Sequence, residues 1–131
     1  MRLVIDCNVV VSAALTPGTS RRVVIEAVRA HTILICAEIV SEYRLVAARP
    51  KFRSCRHILD EIISTIEAVG VEVPASATQV VLPDPDDAIY LATAVVGRAD
   101  ALITGNTRHF TGHLGDDLQL LTPRQFLDRD R

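Results

Sequence analysis

The stretch Leu82-Pro83-Asp84-Pro85-Asp86-Asp87-Ala88-Ile89-Tyr90-Leu91-Ala92-Thr93-Ala94-Val95-Val96-Gly97-Arg98-Ala99-Asp100-Ala101-Leu102-Ile103-Thr104-Gly105-Asn106 decides the fold. Prolines and carboxylates mark a helix start, because aspartates favour the positive end of the helix dipole and proline fits the first turn. An apolar helix over 85–96 follows, and Gly97 supplies its stop. Ala101 to Thr104 then reads as a short buried strand. A helix feeding a buried strand is one unit of a parallel sheet, and the strand's exit, at Thr104 to Asn106, lies on the rim where such folds keep their sites. The cluster of Asp84, Asp86 and Asp87 belongs to the same rim.

Upstream the same alternation recurs. Arg2 to Asp6 is an apolar run closed by a carboxylate, as a central parallel strand reads. Cys7 to Leu15 is expected to be helical until Thr-Pro-Gly at 16–18 breaks it. A second helix runs from Thr19 or Ser20 through Ala30, with Val24, Ala27 and Val28 inward. Thr32 to Cys36 is the second strand, and Ala37 to Ala48 a helix with Ile39, Val40, Tyr43 and Val46 at helical spacing. Glu38 and Glu42, four apart, share a face of it. Ser54 to Val69 is the clearest amphipathic helix, with Leu59, Ile62, Ile63, Ile66 and Val69 on one stripe and Gly70 as its stop. Val71 to Val73 and Gln79 to Leu82 are both short and extended, and one of them is expected to add a strand. Leu118 to Leu121 is the last strand, and Thr122-Pro123-Arg124-Gln125 opens a terminal helix with a capping box. The expected fold class is therefore α/β, a parallel sheet with helices on both faces, in a single domain over residues 1–131.

Composition agrees. The chain has 131 residues, 49% hydrophobic and 23% charged, enough for one core. No run approaches the roughly 18 apolar residues of a membrane span, so a soluble, cytoplasmic protein is expected. Cys7, Cys36 and Cys55 are widely spaced and odd in number, which suggests reduced buried thiols and neither a disulfide framework nor a zinc site. The net charge of −2 hides an asymmetry: residues 1–59 carry nine basic and four acidic side chains, residues 60–131 five basic and twelve acidic. Between Arg44 and Arg56 lie five basic residues and no acid. A solvated helix face and loop explains such a run, and so does a phosphate-bearing partner.

Four separated segments bring an oxygen to the expected rim: Asp6, Glu42, the Asp84 to Asp87 cluster and Asn106. Each alone has a plainer role, as a helix cap, a solvated helix residue, a helix opening and a turn residue respectively. Together they repel one another unless a cation neutralises them. Oxygen-only ligands suit Mg²⁺ or Mn²⁺, and such a site activates water against a scissile phosphate.

Val-Ile-Asp-Cys-Asn-Val-Val-Val-Ser-Ala at 4–13, Glu-Ile-Val-Ser-Glu-Tyr at 38–43 with Arg-Pro-Lys-Phe at 49–52, Asp-Pro-Asp-Asp-Ala at 84–88 and Leu-Ile-Thr-Gly-Asn at 102–106 together resemble the PIN-domain family. More closely they resemble its bacterial branch of toxin–antitoxin toxins related to VapC. The resemblance covers nearly the whole chain in order. It implies a three-layer α/β/α sandwich around a parallel sheet, a Mg²⁺- or Mn²⁺-dependent endoribonuclease, frequent dimers and a cognate antitoxin. By position, Asp6, Glu42 and Asp87 match the metal-site acids, Glu42 being preferred over Glu38. Asn8 matches a loop-ordering asparagine and Thr104 a hydroxyl beside the first aspartate, with Asp84 and Asp86 as neighbours. Asn106 stands where many members have a fourth aspartate, and it offers an oxygen without a charge. Arg44, Arg49, Lys51 and Arg53 are the candidate RNA phosphate contacts.

Other folds also place aspartate after a first strand. Receiver domains and dehalogenase-type phosphatases, however, use a lysine near the acids, and the only lysine here is Lys51. His109 and His113 are four apart but lack a third ligand, so they read as loop histidines, or His109 as a substrate contact. The alternative from another class is a catalytically weakened domain of the same fold that binds RNA or protein.

Overall fold

The computed structural model describes residues 1–75, 85–110 and 117–129; the side chains of Asp86 and His109 fall outside the description, as do Asp84, His113 and the expected extended piece 79–82. In chain order the elements are β1 (Arg2–Ile5), α1 (Cys7–Leu15), α2 (Thr19–Ala30), β2 (Thr32–Ile35), α3 (Ala37–Ala47), a 3₁₀ segment (Pro50–Cys55), α4 (Arg56–Val69) and β3 (Val71–Glu72). Then follow α5 (Pro85–Val96), β4 (Ala101–Ile103), a 3₁₀ turn (Thr107–His109), β5 (Gln119–Leu121) and α6 (Pro123–Asp128).

Among the described residues five strands form a parallel sheet in the order β3-β2-β1-β4-β5. From β1 the chain moves outward to β2 and β3, and from β4 it moves the other way to β5. The carboxyl ends of β1 and β4 therefore flank the point where the winding reverses, and a crevice opens there. Leu3, Val4 and Ile5 are all fully buried, as are Ala101, Leu102 and Ile103, so both sheet faces are covered. Helices α1, α2 and α4 pack on one another, while α5 lies against β1, β2 and β4. Helix α3 touches α1, α4 and α5, which brings its Glu42 face toward the crevice. These layers are those of an α/β/α sandwich.

Local chemistry explains most boundaries. Gly97 ends α5 where a Cβ would stand 2.7 Å from Leu34 Cδ1 and 2.9 Å from the Thr93 carbonyl. Its own carbonyl accepts two bonds from the Arg2 guanidinium, at 2.8 and 3.0 Å. The expected capping box of α6 forms, with Gln125 N–H donating to Thr122 Oγ1 and Gln125 Oε1 accepting from Thr122 N–H. All three cysteines are buried and none is bridged. No helix among the described residues is long and apolar enough to cross a membrane.

Three details depart from expectation. The helix expected to begin at Ser54 begins as a 3₁₀ segment at Pro50, which buries Phe52 and Cys55 under α4. Val69 is half-exposed instead of continuing the buried stripe, because α4 runs out beside β3, a sheet-edge strand whose own residues are exposed. In α2, Val23 joins Val24 and Ala27 in the core and Val28 is only partly buried.

Candidate active site

Strand register builds the first half of the site. Ile5 pairs with Ile103, so the next residues, Asp6 and Thr104, leave the sheet side by side although they are 98 positions apart. The Asp6 N–H donates to the Ile103 carbonyl at 2.9 Å and locks that alignment. Thr104 Oγ1 then donates to Asp6 Oδ2 at 2.8 Å. Its direction is fixed from the other side, because Oγ1 accepts the Asn106 N–H at 3.0 Å. The hydroxyl proton is thereby committed to the carboxylate, which can only accept.

Asp6 stands at the N-cap position of α1, yet its side chain makes no capping hydrogen bond. Only 5% of it is exposed. A capping aspartate normally turns onto the helix N–H groups; this one accepts from Thr104 instead. The plain structural role considered for Asp6 is thus not the one it fills.

Electrostatics locate the second acid. The Cys7 thiol is pushed up to about 12, first by burial, then by the negative charge of Glu42 and next by that of Asp6. Arg49 and the Tyr90 hydroxyl temper that rise. Tyr43 and Tyr90 are raised well above the ordinary tyrosine range, chiefly by burial, with Asp6 and Glu42 both contributing. Two carboxylates from different elements therefore act on one buried cluster, Cys7, Tyr43 and Tyr90. Tyr43 anchors it by donating its hydroxyl to the Ile5 carbonyl.

The third acid arrives on α5. Asp87 lies in the first turn of that helix, partly buried, with its Oδ2 shielded from solvent. Tyr90 follows one turn later on the same face. Thr93, one turn further, meets Cys36 at the end of β2 at 3.3 Å. This face of α5 runs along the carboxyl ends of the strands.

The remaining expected residues are spread more widely. Asn8 is exposed on the first turn of α1, and the Asn106 side chain is exposed. Glu38 and Glu42 line an open cleft with Ser41, Leu45 and Arg49. Within the basic stretch, Arg49 is the member whose charge reaches the site. Arg44 pairs with Glu67 at 2.8 Å, the Lys51 ammonium lies 5.1 Å from the Phe52 ring centroid, and Arg53 is exposed.

The donor set suits a hard cation in kind: carboxylate oxygens of Asp6, Glu42 and Asp87, with a buried hydroxyl among them. In spacing it is looser. Among the described residues no three His, Cys, Asp or Glu side chains stand close enough together to hold a metal ion. Glu42 and Asp87 are both partly buried, whereas Asp6 is buried. Tyr43 and Tyr90 were not singled out as site residues from the sequence; the signal available for Tyr90 was its i+3 spacing from Asp87.

Comparison with known proteins agrees with this layout. The crystal structure of VapBC2 from Rickettsia felis bound to a DNA fragment from their promoter contains a chain that superposes with a TM-score of 0.66. The alignment covers 93% of this chain and 98% of that one at 18% identity, a likeness of fold. No curated protein matches the sequence. Residues 2–108 match the PIN domain family. The chain accordingly belongs to the PIN domain family.

Proposed function

We propose that this protein is a divalent-cation-dependent endoribonuclease. PIN domains are generally nucleases, and the observation that carries the reading here is Asp6. It is a nearly fully buried carboxylate, passed over as a helix cap and held by a Thr104 hydroxyl at the reversal point of the sheet. A carboxylate fixed at that place is an oxygen ligand of the kind a hard divalent cation takes.

Asp6, Glu42 and Asp87 are the residues that would hold the cation, with Asn106 and the neighbouring Asp84 and Asp86 at the margin. A bound Mg²⁺ or Mn²⁺ supplies Lewis-acid neutralisation of charge developing on the scissile phosphate. The protein's own contribution is positioning. Thr104 fixes the Asp6 carboxylate, the wall of Cys7, Tyr43 and Tyr90 keeps water from its buried side, and Arg49 sets a positive charge at the edge of the cleft. Arg53 and Lys51 extend that charge outward as contacts for flanking phosphates, and Arg44 can join them by leaving Glu67.

The toxin role, in a pair with a cognate antitoxin, belongs to the same proposal. It is supported by the sequence resemblance to VapC-related toxins and by the fold shared with a chain of VapBC2. A homodimer is proposed on the same ground, and the exposed Leu45 and Val95 are apolar surface available for it. Single Asp6→Asn, Glu42→Gln and Asp87→Asn variants test the ligand assignment. Each is expected to stay folded and lose RNA cleavage, and retained cleavage in all three would refute it. Folded wild-type protein inert toward RNA would instead favour the weakened binding module that Asn106 suggests.

A further inference from the structure

A second concave surface gathers positive charge. Helices α2 and α6 pack on each other and border a cleft of about 420 Å³, a size that suits a small ligand. Arg22 and Arg29 line it from α2, two helical turns or roughly 10 Å apart along the axis, and Arg129 lines it from just beyond α6. Among the described lining residues Glu26 is the one acid. Two of the cationic or polar groups are held by packing on Phe126, which is buried. The Arg129 guanidinium lies 4.7 Å from the Phe126 ring centroid, and the His31 ring meets the same ring edge-on at 5.1 Å. The His31 side chain is only 8% exposed, and its Nε2 stands 3.9 Å from the Glu26 carboxylate.

Solvation alone explains an isolated surface arginine. Other arginines of this chain have protein partners: Arg44 pairs with Glu67, Arg56 with Asp60, and Arg21 donates to the Ala13 carbonyl. Among the described residues the exposed Arg22 and Arg29 enter no ion pair. Three guanidiniums around one concave space repel one another, and an anion bridging them relieves that repulsion. A phosphate brings up to two charges and several acceptor oxygens to the paired donors of arginine, whereas a carboxylate brings one charge to three cations.

We propose that the cleft between α2 and α6 is a binding site for a phosphate-bearing ligand, with Arg22, Arg29 and Arg129 as its anion contacts. A free nucleotide and the backbone of an RNA strand present the same group to it. The long side chains of Arg22 and Arg29 can converge on one phosphate or hold two in succession. His31 directly precedes β2, so its end of the cleft lies at the amino ends of the strands, whereas Asp6 and Thr104 lie at the carboxyl ends. The site therefore needs no divalent cation.

The test is calorimetric titration of adenosine monophosphate, and separately of a short oligouridylate, into the chelator-treated chain and its Arg22→Ala/Arg29→Ala double variant. Both changed residues are exposed, so the double variant should melt like wild type. It should bind about 10-fold more weakly or worse, because charge-assisted bonds are lost. Mononucleotide binding that the double variant loses assigns the cleft to free nucleotides. Loss confined to the oligouridylate assigns it to an RNA strand, and the slope of log affinity against log salt should then fall by about 0.7 for each phosphate contact removed. The proposal is overturned if neither probe binds, if the double variant keeps wild-type affinity for both, or if an oligoglutamate peptide binds the cleft as tightly, which would show a response to charge alone. Since chelator removes the cation, each of these results leaves the reading of Asp6, Glu42 and Asp87 untouched.

Discussion

Replacing Thr104 by valine removes one hydroxyl and little volume, and the structure fixes what that hydroxyl does. Its bond to Asp6 Oδ2 is 2.8 Å long, charge-assisted and buried. Asp6 is 5% exposed, so water does not readily replace the lost donor. The Asn106 N–H also loses its acceptor, but Asn106 is exposed and solvent can serve it. Hydrogen bonds to charged groups contribute about 1.5–3 kcal/mol net, so a loss of about 2 kcal/mol is expected. With a urea dependence of about 2 kcal/mol per molar for a small domain, the unfolding midpoint should fall by roughly 1 M. The source of the loss is checked by a double-mutant cycle with Asp6→Ala, in which valine at 104 should cost at least about 1 kcal/mol less than in wild type. Thr104→Ser, which keeps the donor, should recover most of the stability. A loss below about 0.5 kcal/mol, or an equal loss with and without the Asp6 carboxylate, would refute the claim that Thr104 is there to hold Asp6.

Two further outcomes follow from packing and titration. Gly97→Ala places a Cβ against Leu34 Cδ1, the Thr93 carbonyl and Val73 Cγ2 at 2.7 to 3.0 Å. Since one of these is backbone, thermal melting should show a loss of about 1–3 kcal/mol, and a neutral result would contradict the close approach of α5 to β2. Burial, with the charges of Glu42 and Asp6, pushes the Cys7 thiol from the ordinary 9.0 up to about 12. The native state therefore favours the neutral thiol, a contribution complete below pH 9 and lost as pH rises from 9 toward 12. Stability after chelator treatment should fall over that window and fall less steeply in Cys7→Ala; an unchanged slope would sink the assignment.

What the sequence made legible was whatever depends on neighbours along the chain. An apolar run closed by Asp6 reads as a strand with a carboxylate at its exit, and Pro-Asp-Asp before an apolar stretch reads as a helix start. Thr122 with Gln125 reads as a capping box and forms one. What is settled by register could not be read that way. The bond from Thr104 to Asp6 exists because Ile5 pairs with Ile103, and nothing local to either residue announces it; the family resemblance supplied the pairing instead. Tyr43 and Tyr90 escaped notice because a tyrosine on a buried helix face looks like core until the fate of its hydroxyl is known. Val69 kept its helical phase, but α4 extends past the surface that would cover it. The 3₁₀ start at Pro50 reflects Arg49-Pro50 ending α3 while Phe52 and Cys55 still need burial.

The central claim is that the buried acid at the sheet reversal holds a cation that cuts RNA. The most direct measurement is cleavage of a mixed RNA pool by the full chain, first stripped with chelator and then supplied with Mn²⁺ or Mg²⁺, with Asp6→Asn alongside. The expected result is no cleavage in chelator, restoration by one or both cations, and none by folded Asp6→Asn under any condition. Cleavage that persists in chelator or in Asp6→Asn would contradict it, as would a folded wild-type protein that leaves RNA intact with both metals.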